Sequence, residues 1–514
     1  LYTVKIPQAM KTVKRIATCM LLACFLVMTV VSAVSCGRSK IPVATNFSRS
    51  VPDIYPDYTG VTVPANIAPL RFMLRHTGRY DAAVAAFYCR ALSNRPLMVE
   101  EADGDGRFLF DEEDWHTMLA PLRGKRLEVV LFTRKHDVWT RHRAFTVDVA
   151  REDIDSCLVY RLLPPGYELW SEMGIYQRRL TDFRESAIAR NTLTDHNCMN
   201  CHSFCMQSPD TMMLHMRAAH GGTYIRRNGT IERVDGHLSD KIPQMVYPSW
   251  HPSGRFIAFS TNDTHQRFHM RSKNRIEVFD RSSSVFVYDV DHHRPLQSPL
   301  TSDSLCFATF PTFSPDGRTL YFCAARRVEH LPADYRQVRY SLCSISFDAQ
   351  SGTFGQQVDT LYSTYSTRMD GVPQGRSVSF PRVSPDGRHL VFTLSRYGNF
   401  SIWHADADLY LLRLSDGSIS PLRAANSANV ESYHSWSHNS RWLAFSSRRD
   451  DGLHTRPYFT YIDASGRCRK AFMLPQADPA FYDAFTLSYN IPELVRRPVS
   501  AVPQDFADAA RQVP

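Results

Sequence analysis

Pro311-Thr-Phe-Ser-Pro-Asp-Gly-Arg-Thr-Leu-Tyr-Phe322 decides the fold, because the chain repeats it. Pro248-Ser-Trp-His-Pro-Ser-Gly-Arg-Phe-Ile-Ala-Phe259 and Pro381-Arg-Val-Ser-Pro-Asp-Gly-Arg-His-Leu-Val-Phe392 match it, and His434-Ser-Trp-Ser-His-Asn-Ser-Arg-Trp-Leu-Ala-Phe445 is a worn fourth copy. Each copy reads as a hairpin: a short strand, a turn whose proline fixes φ, then an alternating strand. Asp316 and Asp386 are expected in equivalent turns, their side chains capping the turn backbone. A further strand pair follows each copy, as in Ser284-Val-Phe-Val-Tyr-Asp289 and Asp408-Leu-Tyr-Leu-Leu-Arg-Leu414. Four strands per repeat make the blade of a β-propeller. Counted from Trp250, Phe313, Val383 and Trp436, the copies lie 63, 70 and 53 residues apart, which leaves room for long loops on the faces. Two unmarked blades are expected upstream, one with its outer strands in Gly222 to Arg233 and one in Gly174 to Phe183. The fold class is therefore all-β: a six-bladed β-propeller over 151–493, preceded by a small β-rich module.

These repeats resemble the Pro-Asp-Gly repeats of the TolB-like propellers over about 248–460. The Ser-Pro-Asp-Gly-Arg cores at 314–318 and 384–388 carry the resemblance. The copy at 251–255 lacks the Asp, and the copy at 437–441 lacks both Pro and Gly.

A second motif, Cys198-Met-Asn-Cys201-His202, has the C-x-x-C-H spacing of a c-type haem attachment site. Cys198 and Cys201 would hold haem c through thioether bonds, with His202 as proximal iron ligand. The motif is expected in an inter-blade insertion at about 191–220. For the distal position, His215 is the first choice, with Met213 or Met216 behind it. Two other readings stay open. Cys205 and His202 or His215 could complete a structural zinc site with the two cysteines, or the pair could do thiol chemistry. The combination resembles envelope lipoproteins that carry a TolB-like propeller and one C-x-x-C-H motif. That resemblance implies haem and compartment but no reaction.

Covalent haem belongs outside the cytoplasm, and the N-terminus carries an export signal. Lys11, Lys14 and Arg15 precede an apolar run from Ile16 to Val34, with Met10 as the expected start. Ser32-Ala-Val-Ser-Cys36 resembles a bacterial lipoprotein cleavage site, so residues 1–35 form the expected signal and Cys36 the lipidated residue. Gly37 after it favours the outer membrane. Residues 36–66 are polar, proline-dotted and aperiodic, and are expected as a tether.

Residues 67–150 read as a β-rich, sandwich-like module, with Asp111 starting a short helix. Asp103 and Asp105 beside glycines read as a turn rather than a calcium site. Residues 494–514 are expected as a C-terminal tail. The formal charge of +9 falls to about +5 without the four basic residues of the signal, with both signs interspersed, so nucleic acid is not an expected partner. There is no G-x-S-x-G elbow and no H-E-x-x-H, so no hydrolase or metalloprotease of those kinds is indicated. The expected function is a membrane-anchored monohaem protein in electron transfer or redox sensing, docking envelope or redox partners through the propeller. The alternative is a non-catalytic binding module for envelope proteins or glycans.

Overall fold

The computed structural model describes residues 41–75, 80–89, 96–102, 104–164, 172–366 and 371–512. The signal segment, Cys36 and Asp103 lie outside them. Six four-stranded antiparallel sheets follow one another from Cys157 to Val495, and they are the six blades. Blades 3 to 6 are the marked repeats. Their innermost strands are Val246–Trp250, Cys306–Phe313, Ser377–Val383 and Glu431–Trp436, and in each the Pro-Asp-Gly-type turn leads into the second strand. Blade 2 is built from Met199–Phe204, Thr211–Met216, Gly222–Arg227 and Thr230–Val234. Blade 1 takes Cys157–Leu163, Gly174–Arg179 and Glu185–Arg190 from the start of the propeller. Its innermost strand is Ser488–Val495, from the other end of the chain. This exchange ties first blade to last, and the six innermost strands contact one another in a closed ring. Closure leaves no long open sheet edge around the axis.

The turns explain the sequence signal atom by atom. Ser314 Oγ donates to Asp316 Oδ1, which also accepts Arg318 N–H at 3.1 Å, while Ser314 Oγ accepts Thr319 N–H at 3.0 Å. Ser384, Asp386, Arg388 and His389 repeat the pattern. In the worn copy Asn439 replaces the aspartate and accepts from Ser437 Oγ and Arg441 N. His438 stands there in place of proline because this turn also binds a distant segment. Its N–H donates to Asp155 at 2.9 Å and its ring bonds the same carboxylate, Asn439 Nδ2 donates to Asp153 O, and Trp442 Nε1 donates to Glu152 O. The fourth copy thus clasps the segment that joins module to propeller.

The N-terminal module holds a seven-stranded sheet around Arg126–Lys135, a three-stranded sheet and the helix Glu112–Leu119. Asp111 caps that helix, accepting from Glu113 and Asp114 N–H, and buried Trp115 donates to Ile67 O. The stretch expected as a tether is folded from residue 41 onward. Asn46–Phe47 and Thr62–Val63 each add a parallel strand to the large sheet, and Tyr58, Val61, Val63 and Ile67 are buried. Strands of two residues are too short to show a period, which is why the segment reads as irregular. One apolar core runs from this module into blades 1 and 6 through Leu158, Tyr160, Trp442 and Phe472. Residues 494–514 are likewise more than a tail. The helix Pro503–Arg511 buries Phe506, Ala507, Ala509 and Ala510, three of them in the core shared by blades 1 and 2.

Candidate functional site: a two-chambered axial channel

All six innermost strands carry the same irregularity. A register shift interrupts each one, and at that shift stands a non-glycine residue in the left-handed region: Cys201, Tyr247, Phe310, Phe380, Tyr433 and Ile491, with φ between 49° and 54°. Side chains of this bulk take that conformation at a cost of about 1–3 kcal/mol each. The bulge re-aims the strand, as bulges beside sites do. The rings of Tyr247, Phe310, Phe380 and Tyr433 pack tilted or edge-on around the axis at successive centroid distances of 4.3, 5.7 and 5.1 Å. Ile491 and Cys201 complete the belt, so the channel is divided into two chambers.

The upper chamber has a volume of about 340 Å³. Cys198 and Cys201 form part of its floor, and Arg161, Arg217 and Arg448 stand in its wall with no acid among the described lining residues. Arg161 Nη1 donates to Met199 O, and neither Arg161 nor Arg217 has an ion pair among the described residues. Arg448 lies over the Trp403 ring at 3.4 Å. The roof is the long hairpin of blade 3, Phe256–Phe268 and Ile276–Asp289, which crosses to blade 5. There Glu277 accepts from Tyr397 Oη at 2.6 Å and meets His404 Nε2 at 3.0 Å, while Asn399 and Tyr340 donate to Asp280 at 2.6 and 2.9 Å.

The lower chamber, about 130 Å³, lies on the other side of the belt. His202, Gln207, Arg382, Ser435, Trp250, Trp436 and Glu493 line it. Burial drives the His202 imidazole down to about 3, so the ring is neutral, and holds the Glu493 carboxyl up at about 8, so it keeps its proton at neutral pH. Desolvation brings Arg382 down to about 10, where it is still charged.

The sequence-predicted haem residues separate across this belt. Cys198 lines the upper chamber alone, His202 the lower chamber alone, and Cys201 stands between them. They lie in or beside the innermost strand of blade 2, not in an inter-blade insertion. His202 follows its bulge as Pro248, Pro311, Pro381, His434 and Pro492 follow theirs. Its ring meets the backbone of Val159 and Ile491, and His434 Nε2 meets Val391 O at 2.9 Å. The C-x-x-C-H geometry of a haem c site needs both thiols and the imidazole around one porphyrin. As folded, these residues do not fit it. His215, the expected distal ligand, is buried between blades 2 and 3 with Nδ1 3.2 Å from Thr223 Oγ1. Met213 and Met216 are core, and none of the three lines either chamber. Cys205 Sγ rests on His251 O, away from the other thiols. Among the described residues no three His, Cys, Asp or Glu side chains converge as a metal site would require.

Sequence reasoning missed the belt, Arg382 and Glu493. The signal was present: His202-Ser-Phe-Cys205 aligns with His434-Ser-Trp-Ser437, which makes the motif histidine a member of the propeller repeat.

No family model matches this chain, and no curated protein matches it. Solved structures with a similar arrangement include dipeptidyl peptidase 4 of Porphyromonas gingivalis (10% identity, 60% of this chain and 46% of that one, TM-score 0.30). Others are prolyl oligopeptidase B of Galerina marginata (10%, 67% and 42%, 0.33) and an ancestral GH74 enzyme (10%, 87% and 62%, 0.31). The chain spans less than half the length of the two peptidases.

Proposed function

We propose that the protein is a TolB-like, lipid-anchored propeller of the cell envelope, and that it works as a binding module whose upper chamber takes an organic anion with a flat apolar body. The observation that carries this reading is the roofed chamber with Arg161 and Arg217 in its wall and no acid among the described lining residues. Guanidinium pairs grip carboxylate, sulfonate or phosphate groups with direction as well as charge, and the Phe400 and Trp403 rings offer an apolar wall. Membrane attachment rests on the signal and Cys36, and Cys36→Ala is expected to release the protein from membranes.

The binding test uses anilinonaphthalene sulfonate, an anionic aromatic fluorophore. The folded wild type should bind it saturably, and an Arg161→Met, Arg217→Met double variant with unchanged melting should bind about tenfold more weakly or worse. Equal binding by the variant overturns the reading.

One observation favours a second reading, covalent haem c in electron transfer: both motif thiols face the upper chamber. His202 could then serve only if it left its packed position. Protein made with haem c maturation machinery, denatured and stained for haem, decides between the two. A haem band lost in Cys198→Ala, Cys201→Ala establishes the cytochrome, and no band leaves the binding module.

A further inference from the structure

The propeller's near-sixfold symmetry shows where the lower chamber departs from scaffold. Two residues beyond each bulge stand Ser203, Ser249, Thr312, Arg382, Ser435 and Glu493. Two of the hydroxyls at this place join neighbouring blades. Ser249 Oγ accepts Phe313 N–H from the next blade at 3.1 Å, and Ser435 Oγ accepts Leu494 N–H at 3.1 Å. Glu493 does the same with one oxygen, accepting Phe204 N–H at 2.9 Å, and keeps the other for the chamber, 3.9 Å from His202 Nε2. Arg382 makes no such link. Its guanidinium lies 3.9 Å from the Phe380 ring centroid, Nη1 donates to Pro381 O, and it has no ion pair among the described residues.

Two polar atoms in the same chamber also lack partners. His202 Nε2 is buried without a hydrogen-bond partner, and the residue is only 3% exposed. Gln207 donates its amide N–H to Trp436 O at 3.4 Å, leaving Oε1 buried and unmatched. A buried unmatched polar atom costs about 1–3 kcal/mol, so each calls for a partner. The matching molecule must offer an anionic acceptor to Arg382 and hydroxyl donors to His202 Nε2 and Gln207 Oε1. It must also be small.

We propose that the lower chamber is a second binding site, separate from the upper one, and that it takes a small hydroxy-carboxylate. Its carboxylate sits on the Arg382 fork, and its hydroxyl donates to His202 Nε2 or Gln207 Oε1. Trp250 and Trp436 wall the site. Their indole N–H groups are already committed to Ser203 O and Arg382 O, so they contribute surface rather than hydrogen bonds.

Calorimetric titration of the full chain with glycolate tests this, beside acetate, which lacks the hydroxyl, and ethylene glycol, which lacks the carboxylate. Glycolate should bind at least about tenfold tighter than acetate, as one buried hydrogen bond to an otherwise unmatched acceptor warrants, and ethylene glycol should give no heat. Arg382→Met should abolish glycolate binding. If that variant does not fold, Arg382→Lys keeps the charge without the fork and should weaken binding at least about fivefold. The upper-chamber variant Arg161→Met, Arg217→Met should leave glycolate binding unchanged, so failure of one site is distinguishable from failure of the other. The proposal is overturned if glycolate and acetate bind alike, if neither binds, if the Arg382 variants bind normally, or if the upper-chamber variant abolishes binding.

Discussion

Blades 2 and 6 are the two that place histidine after the bulge, and they differ on either side of it. In blade 6 the belt residue before it is Tyr433, and the turn beyond holds the Glu152 to Asp155 segment. In blade 2 the belt residue is Cys201, and the turn beyond is Cys205-Met-Gln-Ser208, which faces blade 3 and the lower chamber. The shared part is a neutral imidazole, about 3 in both blades, set against the second strand of the preceding blade. The individual part is the thiol below the arginines. A residue's neighbours in sequence suggest one role for His202, and its equivalent around the axis suggests a second.

Removing both histidines is the strongest way to break this comparison. His202→Ala and His434→Ala should each destabilise the chain by about 2–4 kcal/mol, combining a buried cavity with the loss of the ring's hydrogen bond, and urea denaturation measures it. Similar losses sustain the equivalence. A near-neutral His202→Ala beside a costly His434→Ala would mean that blade 2 keeps its histidine for chemistry. A smaller effect sharpens the same comparison at the turns. Asp316→Ala and Asp386→Ala should each cost about 1 kcal/mol, as for other local side-chain caps. Asn439→Ala should cost more than either, because Asn439 also donates to Asp153 O at 2.6 Å.

The architecture was largely legible because its signal is periodic and local. Serine, proline, aspartate and glycine in that order permit little besides the observed hairpin, and four copies with intervening strand pairs lead to blades. The two unmarked blades were expected from their outer strands alone, and Gly222–Arg227 with Thr230–Val234 matches that expectation. What stayed hidden depends on register around a closed ring. Nothing local marks Cys201 as the counterpart of Phe380, or Glu493 as the counterpart of Ser435, since blade 1 draws its innermost strand from the far end of the chain. The C-x-x-C-H spacing was read by residue type without that frame, and so the separation of thiols from imidazole by the belt was out of reach. The upper chamber was invisible for a similar reason, because its roof comes from blade 3 and its arginines from blades 1, 2 and 6.

The finest distinction between the two blades is electrostatic. His438 in the blade 6 turn is raised above the usual histidine value, chiefly by its hydrogen bond to Asp155 and also by that carboxylate's charge, with burial and, less, Arg496 opposing. Blade 2 has uncharged Met206 at the corresponding turn position. A histidine whose folded value lies above its unfolded one, near 6.5, stabilises the fold fully below that unfolded value, and the contribution disappears as pH rises through the folded value. Half of the His438 side chain is exposed, so solvent screens the pair and its worth stays under about 1 kcal/mol. The stability of the wild type relative to His438→Gln should therefore be greatest near pH 6 and shrink towards pH 8. Asp155→Asn should flatten the same difference, since it removes the cause of the shift. Thermal melts of the three proteins across that range measure it. A difference that does not change with pH would mean that the clasp is held by His438 N–H and Asn439 alone, without charge.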